Sequence, residues 1–172
     1  MFIIRSEKHE DIHKLKEVND LAFGRDNESK LIEAIRQSET FIPELSLVAE
    51  NEAGEIIGHV LLSKIIIETQ DQSIPSLALA PMAVKPEYQN QKIGSQLVKE
   101  ALNRSKSLGF ESVVVLGHKE FYPRFGFIPA SKKSIRPPFD VPDEVFMVLE
   151  LKENALQGIQ GTVKYPDAFQ KV

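Results

Sequence analysis

The chain has 172 residues, 42% hydrophobic and 27% charged, an ordinary balance for one globular domain large enough to bury its own core. A net charge of −4 gives no support for broad electrostatic binding to nucleic acid, and the lack of cysteine excludes disulfides, thiolate metal ligands and a cysteine nucleophile. The opening "MFIIRSEKHED" turns charged after four residues, unlike a secretory or transit peptide, and no apolar run reaches the roughly 20 residues that span a bilayer. The expected compartment is the cytoplasm, with no membrane partner.

"FIIR" reads as a short opening strand. From Glu10 to Phe23, Ile12, Leu15 and Val18, with Leu21 and Ala22, recur at three- and four-residue intervals, the spacing of one helix face. A second helix is expected through "NESKLIEAIRQ", with Leu31, Ile32 and Ile35 inward and Asn27 as its cap. "LSLVAE", "EIIGHVLLSKIIIE" and "SLALAPMAV" are rich in branched apolar residues, and three consecutive strands of this kind predict an antiparallel meander.

The polar loop "KPEYQNQKIG" leads into a helix from Ile93 to Leu108, with Gly109 as its stop. Its Ile93, Leu97, Ala101, Leu102, Ser105 and Leu108 share one stripe. "SVVVLG" is almost continuously apolar, as expected of a strand covered on both faces. "HKEFYPRFGF", the turn-rich "SKKSIRPPFDVPD" and a strand "EVFMVLEL" follow. Residues 1–152 are expected to form the core of a single domain spanning 1–172, and 153–172 an extended tail. Ile159, Val163, Tyr165 and Phe169 argue that this tail lies on the domain. The fold class is α/β, with helices flanking a mixed sheet.

The phosphate motifs narrow the chemistry. Neither G-x-x-x-x-G-K-[ST] nor G-x-G-x-x-G occurs, which removes the P-loop and the usual dinucleotide fingerprint. His9 and His13 stand four apart on a polar helix face without a third ligand, so no metal is expected. What remains is strand, loop and helix start, where four amides lack intrahelical partners and the peptide dipoles place partial positive charge. Such a junction suits a pyrophosphate, but every helix start has free amides.

The arrangement "MAVKPEYQNQKIGSQLV", followed about 20 residues on by "SVVVLG" and "FYPRFGF", resembles the GNAT superfamily of acetyl-CoA-dependent N-acetyltransferases. The family's Q/R-x-x-G/A-x-G/A loop falls on Gln89, Asn90, Gln91, Lys92, Ile93 and Gly94, and its Y-x-x-x-G-F ending on Tyr122, Gly126 and Phe127. "AFGRDNESKLIEAIR", "LSLVAENEAGEIIGHVLL", "VPDEVFMVLEL" and "GTVKYPDAF" extend the likeness to the YhbS-like branch and to essentially the whole chain. Two departures stand out. Lys92 sits where the family more often has glycine, and no asparagine stands between "VVVLG" and Tyr122, where many members contact the cofactor.

The resemblance implies a GNAT fold, with mostly antiparallel N-terminal strands, splayed central strands and flanking helices. It implies an acyltransferase with acetyl-CoA as co-substrate. Backbone groups of Met82, Ala83 and Val84 would pair with the pantetheine arm by strand addition, and the amides from Gln89 to Ser95 would hold the pyrophosphate. Pro81, lacking an N–H, would interrupt regular pairing; a freed ligand edge and an ordinary bulge both fit.

Tyr122 is implied as the acid that protonates the departing sulfur; read alone, without the motif, it is better taken as a ring packed between Phe121 and Phe125. For the base, "SLALAPMAV" offers no carboxylate. His118 at the end of "VVVLGH" is a candidate, His59 and Glu68 are weaker ones, and a water relay is a further route. An amide at Ala83 or Val84 would stabilise the oxyanion. Without a cysteine, direct attack by the amine in a ternary complex is the simpler course. The acceptor is a small-molecule or peptide amine, shaped by "SKKSIRPPFDVPD" and the loop from Phe23 to Asn27. An exposed strand edge permits a homodimer without demanding one. An alternative on the same fold is a non-catalytic acyl-CoA-binding sensor or interaction module.

Overall fold

A computed structural model of the chain describes residues 1–170. In chain order the elements are β1 (Phe2–Ser6), α1 (Ile12–Phe23), α2 (Asn27–Arg36), β2 (Ser46–Asn51), β3 (Ile56–Glu68), β4 (Ser73–Val84), α3 (Ile93–Ser107), β5 (Ser112–Leu116), β6 (Ile128–Pro129), β7 (Ile135–Arg136), β8 (Phe146–Glu150) and β9 (Gly161–Lys164). The strands join one mixed sheet in the order β1-β2-β3-β4-β5-β8-β6. The meander β1–β4 is antiparallel, β4 and β5 are parallel, and β9 pairs with β3 and with β7. One edge of β3 is therefore shared, by β2 along Ile56–Leu61 and by β9 along Ile66–Glu68. Among the described residues no helix is long and apolar enough to cross a membrane.

The sheet opens at its centre. β4 and β5 pair only at Leu77–Val113 and Ala78–Val114, while β5 keeps its register with β8 to the end. Just beyond that point β4 carries a bulge. Val60 faces Met82 and Leu62 faces Leu79, so Ala80 and Pro81 together oppose Leu61. The Ala80–Pro81 peptide is cis. One extra residue reverses the alternation of side chains between the two faces. Ala78 accordingly packs with Val114 and Val163 on one side, whereas Met82 and Val84 pack with the α3 cluster on the other.

The larger core lies under α3, whose Ile93, Leu97, Val98 and Ala101 meet Leu47, Ile57, Leu62 and Leu79. Gly58 permits this approach. A Cβ there would lie 3.0 Å from Leu97 Cδ1 and 3.2 Å from Ile93 Cγ2, so the helix start is held close to the sheet. Two expected details differ. Asn27 is the first residue of α2 rather than its cap, and Asp26 before it makes no capping bond with its side chain. Leu108 is 44% exposed, because Gly109, at φ +93°, turns the chain so that Phe110 packs on the core instead.

The opposite face holds α1 and α2 and a buried polar chain. His59 is fully buried; Asn19 Nδ2 lies 3.2 Å from its Nδ1 and Ser46 Oγ 3.0 Å from its Nε2. Asn19 Nδ2 also donates to the Leu15 carbonyl, and Ser46 Oγ donates to Glu7, which Arg36 clasps with two bonds of 3.1 Å. Donation into Nδ1 assigns the neutral Nε2–H tautomer to His59. Burial pushes its pKa down to about 3. With both nitrogens occupied, His59 is a structural residue, and burial withdraws it from the candidates for a base.

Candidate active site

Where β4 and β5 part, a cleft of about 660 Å³ opens on the α3 side. Met82, Ala83 and Val84 form its strand wall, and residues from Gln89 to Ser95 form its loop wall. The edge of β4 facing β5 is unpaired from Leu79 onward among the described residues. An extended, amide-bearing ligand would find main-chain groups there.

The loop wall is built by two left-handed residues. Asn90 has φ +65° and Lys92 φ +68°, ψ +12°, so Lys92 does occupy the conformation that costs a side-chain-bearing residue about 1–2 kcal/mol. Lys92 caps α3 by its main chain, accepting from Gln96 N at 3.1 Å. Among the described residues, the N–H groups of Lys92, Ile93, Gly94 and Ser95 have no acceptor. Four amides, a left-handed turn and a helix dipole converge on one concavity, the arrangement that holds phosphates. A Cβ on Gly94 would approach Met82 Sδ to 3.2 Å, so the bare glycine also lets the helix start sit against the strand wall.

The loop is anchored from behind. Buried Lys85 donates to Glu55 at 2.9 Å, and the Tyr88 hydroxyl donates to the same carboxylate at 3.1 Å. Asn51 Nδ2 reaches the Tyr88 oxygen at 3.3 Å, which ties the loop to the β2–β3 turn. Gln89 is committed to the scaffold as well, its Nε2 bonding the Val84 carbonyl at 3.1 Å. That bond uses one carbonyl at the end of the strand wall.

Tyr122 lies behind this cleft rather than on its surface. The residue is 6% exposed, its ring set edge-on to Phe121 and Phe127 and pressed against Gly117. Burial pushes its phenol up to about 12. His118 is exposed and lines the cleft, and its carbonyl accepts from the amides of Phe121 and Tyr122. The sequence pattern did not single out Tyr88 as a lining residue, or Arg124, which lies 5.1 Å over the Phe121 ring. Arg124 carries a visible signal, a cation within the Y-x-x-x-G-F motif. Ala22 and Phe23, the last residues of α1 before the αL cap at Gly24, also line this cleft.

A second cavity, about 670 Å³, opens on the other face of the same splay. Ala78 and Ala80 of β4 and Val114 and Leu116 of β5 form its floor, and Phe139, Val163, Tyr165 and Phe169 its walls. Of "SKKSIRPPFDVPD", Pro138 and Phe139 line this second cavity, whereas Phe23, from the other segment expected on the acceptor side, lines the first cleft. Glu68 lines this cavity and pairs with Lys164 at 3.2 Å. The two cavities meet β4 on either side of the Ala80–Pro81 bulge.

The Acetyltransferase (GNAT) domain family matches residues 43–129, from the turn before β2 to β6. The uncharacterized N-acetyltransferase YjhQ of Escherichia coli K12 is 36% identical over 135 residues, 78% of this chain and 74% of that protein. YhbS of the same strain, likewise an uncharacterized N-acetyltransferase, is 33% identical over 150 residues, 87% of each chain. The crystal structure of E. coli YhbS in complex with CoA has a TM-score of 0.89 at 31% identity, covering 98% of this chain and 92% of that one. A GNAT family acetyltransferase from Brucella melitensis, in complex with acetyl-CoA, gives 0.79 at 28% identity over 98% of both chains. Splayed strands, phosphate-type loop and shared sequence agree: the chain belongs to the GNAT acetyltransferase family.

Proposed function

We propose that the protein transfers an acetyl group from acetyl-CoA to a primary amine by direct attack in a ternary complex. The observation that carries this is the row of four unpartnered amides at the start of α3, continuous with the unpaired edge of β4. Acetyl-CoA supplies the activated acetyl group as its thioester. The amides from Lys92 to Ser95 take the pyrophosphate, with Asn90 and Gln91 shaping the turn before them. Met82, Ala83 and Val84 offer main-chain groups to the pantetheine arm.

The amine nitrogen attacks the thioester carbonyl, forming a C–N bond as the C–S bond breaks. The amine's proton passes to water, and the departing thiolate takes up one proton. Tyr122 serves the thiolate. A phenol raised to about 12 stays protonated at neutral pH. Full transfer to a thiolate of ordinary pKa near 8.5 would be uphill by about 5 kcal/mol. The desolvation that raises the phenol acts on a thiolate held beside it in the same direction. Tyr122 therefore contributes mainly as a hydrogen-bond donor to sulfur as charge develops.

His118 lines the cofactor-side cleft, so a role as base requires it to reach across the splay; a water relay from the second cavity does not. The test is a two-substrate initial-rate grid with free-thiol detection and CoA binding measured separately. Intersecting double-reciprocal lines are expected. Parallel lines with an isolable acetyl-enzyme would overturn direct attack. CoA binding without thiol release from any amine would favour a non-catalytic acyl-CoA-binding module.

A further inference from the structure

We propose that the acceptor is a small amine carried on an aromatic or branched aliphatic body, and that polycationic amines are poor substrates. The inference rests on the acetyl-transfer reading above and deepens it.

The second cavity has the size of a small-molecule site and opens onto the β4–β5 splay. Its walls are built for an apolar guest. Phe139 and Tyr165 lie parallel, 6.0 Å apart at 7°, and Phe169 tilts against Tyr165 at 4.8 Å. Phe139 is 42% exposed and Leu116 46%, high exposure for large apolar side chains that line one cavity. A ligand ring or branched chain placed there would cover both.

The charge distribution excludes the alternative class. A polyamine or a sugar bearing several ammonium groups needs carboxylates along its length. Glu68 is the one acidic side chain among the described lining residues, and Lys164 already neutralises it at 3.2 Å. A second or third ammonium entering this cavity would lose its water without gaining a partner. A single amine directed at the splay, with its apolar body toward Phe139 and Leu116, meets no such cost.

The experiment compares 2-phenylethylamine and isoamylamine with cadaverine and spermidine at saturating acetyl-CoA, using the full chain. We expect kcat/KM at least about tenfold higher for the first pair, equivalent to about 1.4 kcal/mol. Phe139→Ala should erase most of that preference while the Kd for CoA stays unchanged. Ligand-observed NMR in the presence of CoA, which cannot donate an acetyl group, reports acceptor binding independently of turnover. Saturation transfer to 2-phenylethylamine, lost in Phe139→Ala, supports the assignment. Efficient acetylation of cadaverine or spermidine with weak use of the apolar pair would overturn the acceptor class while leaving acetyl transfer intact. CoA binding without acetylation of any amine would instead remove the enzymatic reading, and absence of NMR transfer would remove the acceptor site.

Discussion

The ring of Tyr122 occupies the space a side chain at position 117 would need: a Cβ built on Gly117 would stand 2.5 Å from Tyr122 Cε2. The two residues thus fix where the phenol can be. Gly117→Ala should displace the ring and lower stability by about 1–3 kcal/mol, the usual range for overpacking. Tyr122→Phe should keep the packing and the CoA affinity but reduce turnover by about a hundredfold, the lower end for a proton-handling group. Thermal melts, CoA titration and thiol release measure the three quantities. Unchanged turnover in Tyr122→Phe would remove its role at sulfur.

Lys92 occupies a left-handed conformation in an exposed loop. Lys92→Gly relieves about 1–2 kcal/mol of strain and forfeits about 0.5–1 kcal/mol through the freer unfolded chain. Stability should rise by up to about 1 kcal/mol. Lys92→Ala keeps the strain and should not show that gain. If the ammonium neighbours the pyrophosphate, both variants bind CoA a few-fold more weakly at low salt, and the difference shrinks at high salt.

The His59 chain makes a pH prediction. Its folded pKa of about 3 lies below the ordinary 6.5, so between these values the unfolded chain holds more protons. Stability therefore rises with pH across that window, by up to about 1.4 kcal/mol per unit, and levels off above it. Asp11, held below its usual range first by its bond from Arg5, adds a loss at the acid end of the window. His59→Gln removes only the first contribution. Urea melts of the two proteins from pH 4 to 8 should differ in slope below pH 6.5 and run parallel above it.

Glu55 joins Lys85 and Tyr88 at the root of the phosphate loop. Because its carboxylate is partly exposed and Lys85 keeps Glu17 at 3.9 Å, Glu55→Ala should cost under about 1 kcal/mol of stability. The loop would lose two of its bonds to the β2–β3 turn, those of Lys85 and Tyr88 to Glu55, and keep the one between Asn51 and Tyr88. We expect the Kd for CoA to rise several-fold while Tm changes little, measured by calorimetry on the same preparations.

Much of this architecture was legible because it is written in short-range patterns. The meander, α1, α3 and the buried run Ser112–Val115 follow from spacing alone, and the phosphate-type loop from its likeness to a known motif. The left-handed backbone at Lys92 was posed as a question by one residue type and answered by its dihedral angles. What was hidden depends on contacts between distant segments. Nothing local marks Glu55 as the anchor of a loop thirty residues later, or Asn19 and Ser46 as the partners that hold His59. Leu108 illustrates the converse: it fits the helical stripe, but the turn at Gly109 gives its place in the core to Phe110. The walls of the second cavity come from the loop at Phe139, from β9 and from the segment after it, whose meeting is set by β9 lying on β3.

That placement of β9 divides the labour of the chain. The first cleft draws its lining from between residues 22 and 124, whereas the aromatic walls of the second come from 138 to 170. Gly161 fits β9 against β3 so closely that a Cβ would stand 2.5 Å from the Glu68 carbonyl oxygen, so this wall is fixed in height by main chain rather than by its own side chains. On the proposed function, substitutions at Phe139, Tyr165 or Phe169 would retune which amine is chosen without disturbing how the acetyl donor is held. Donor binding and acceptor choice would then be open to separate change within one sheet.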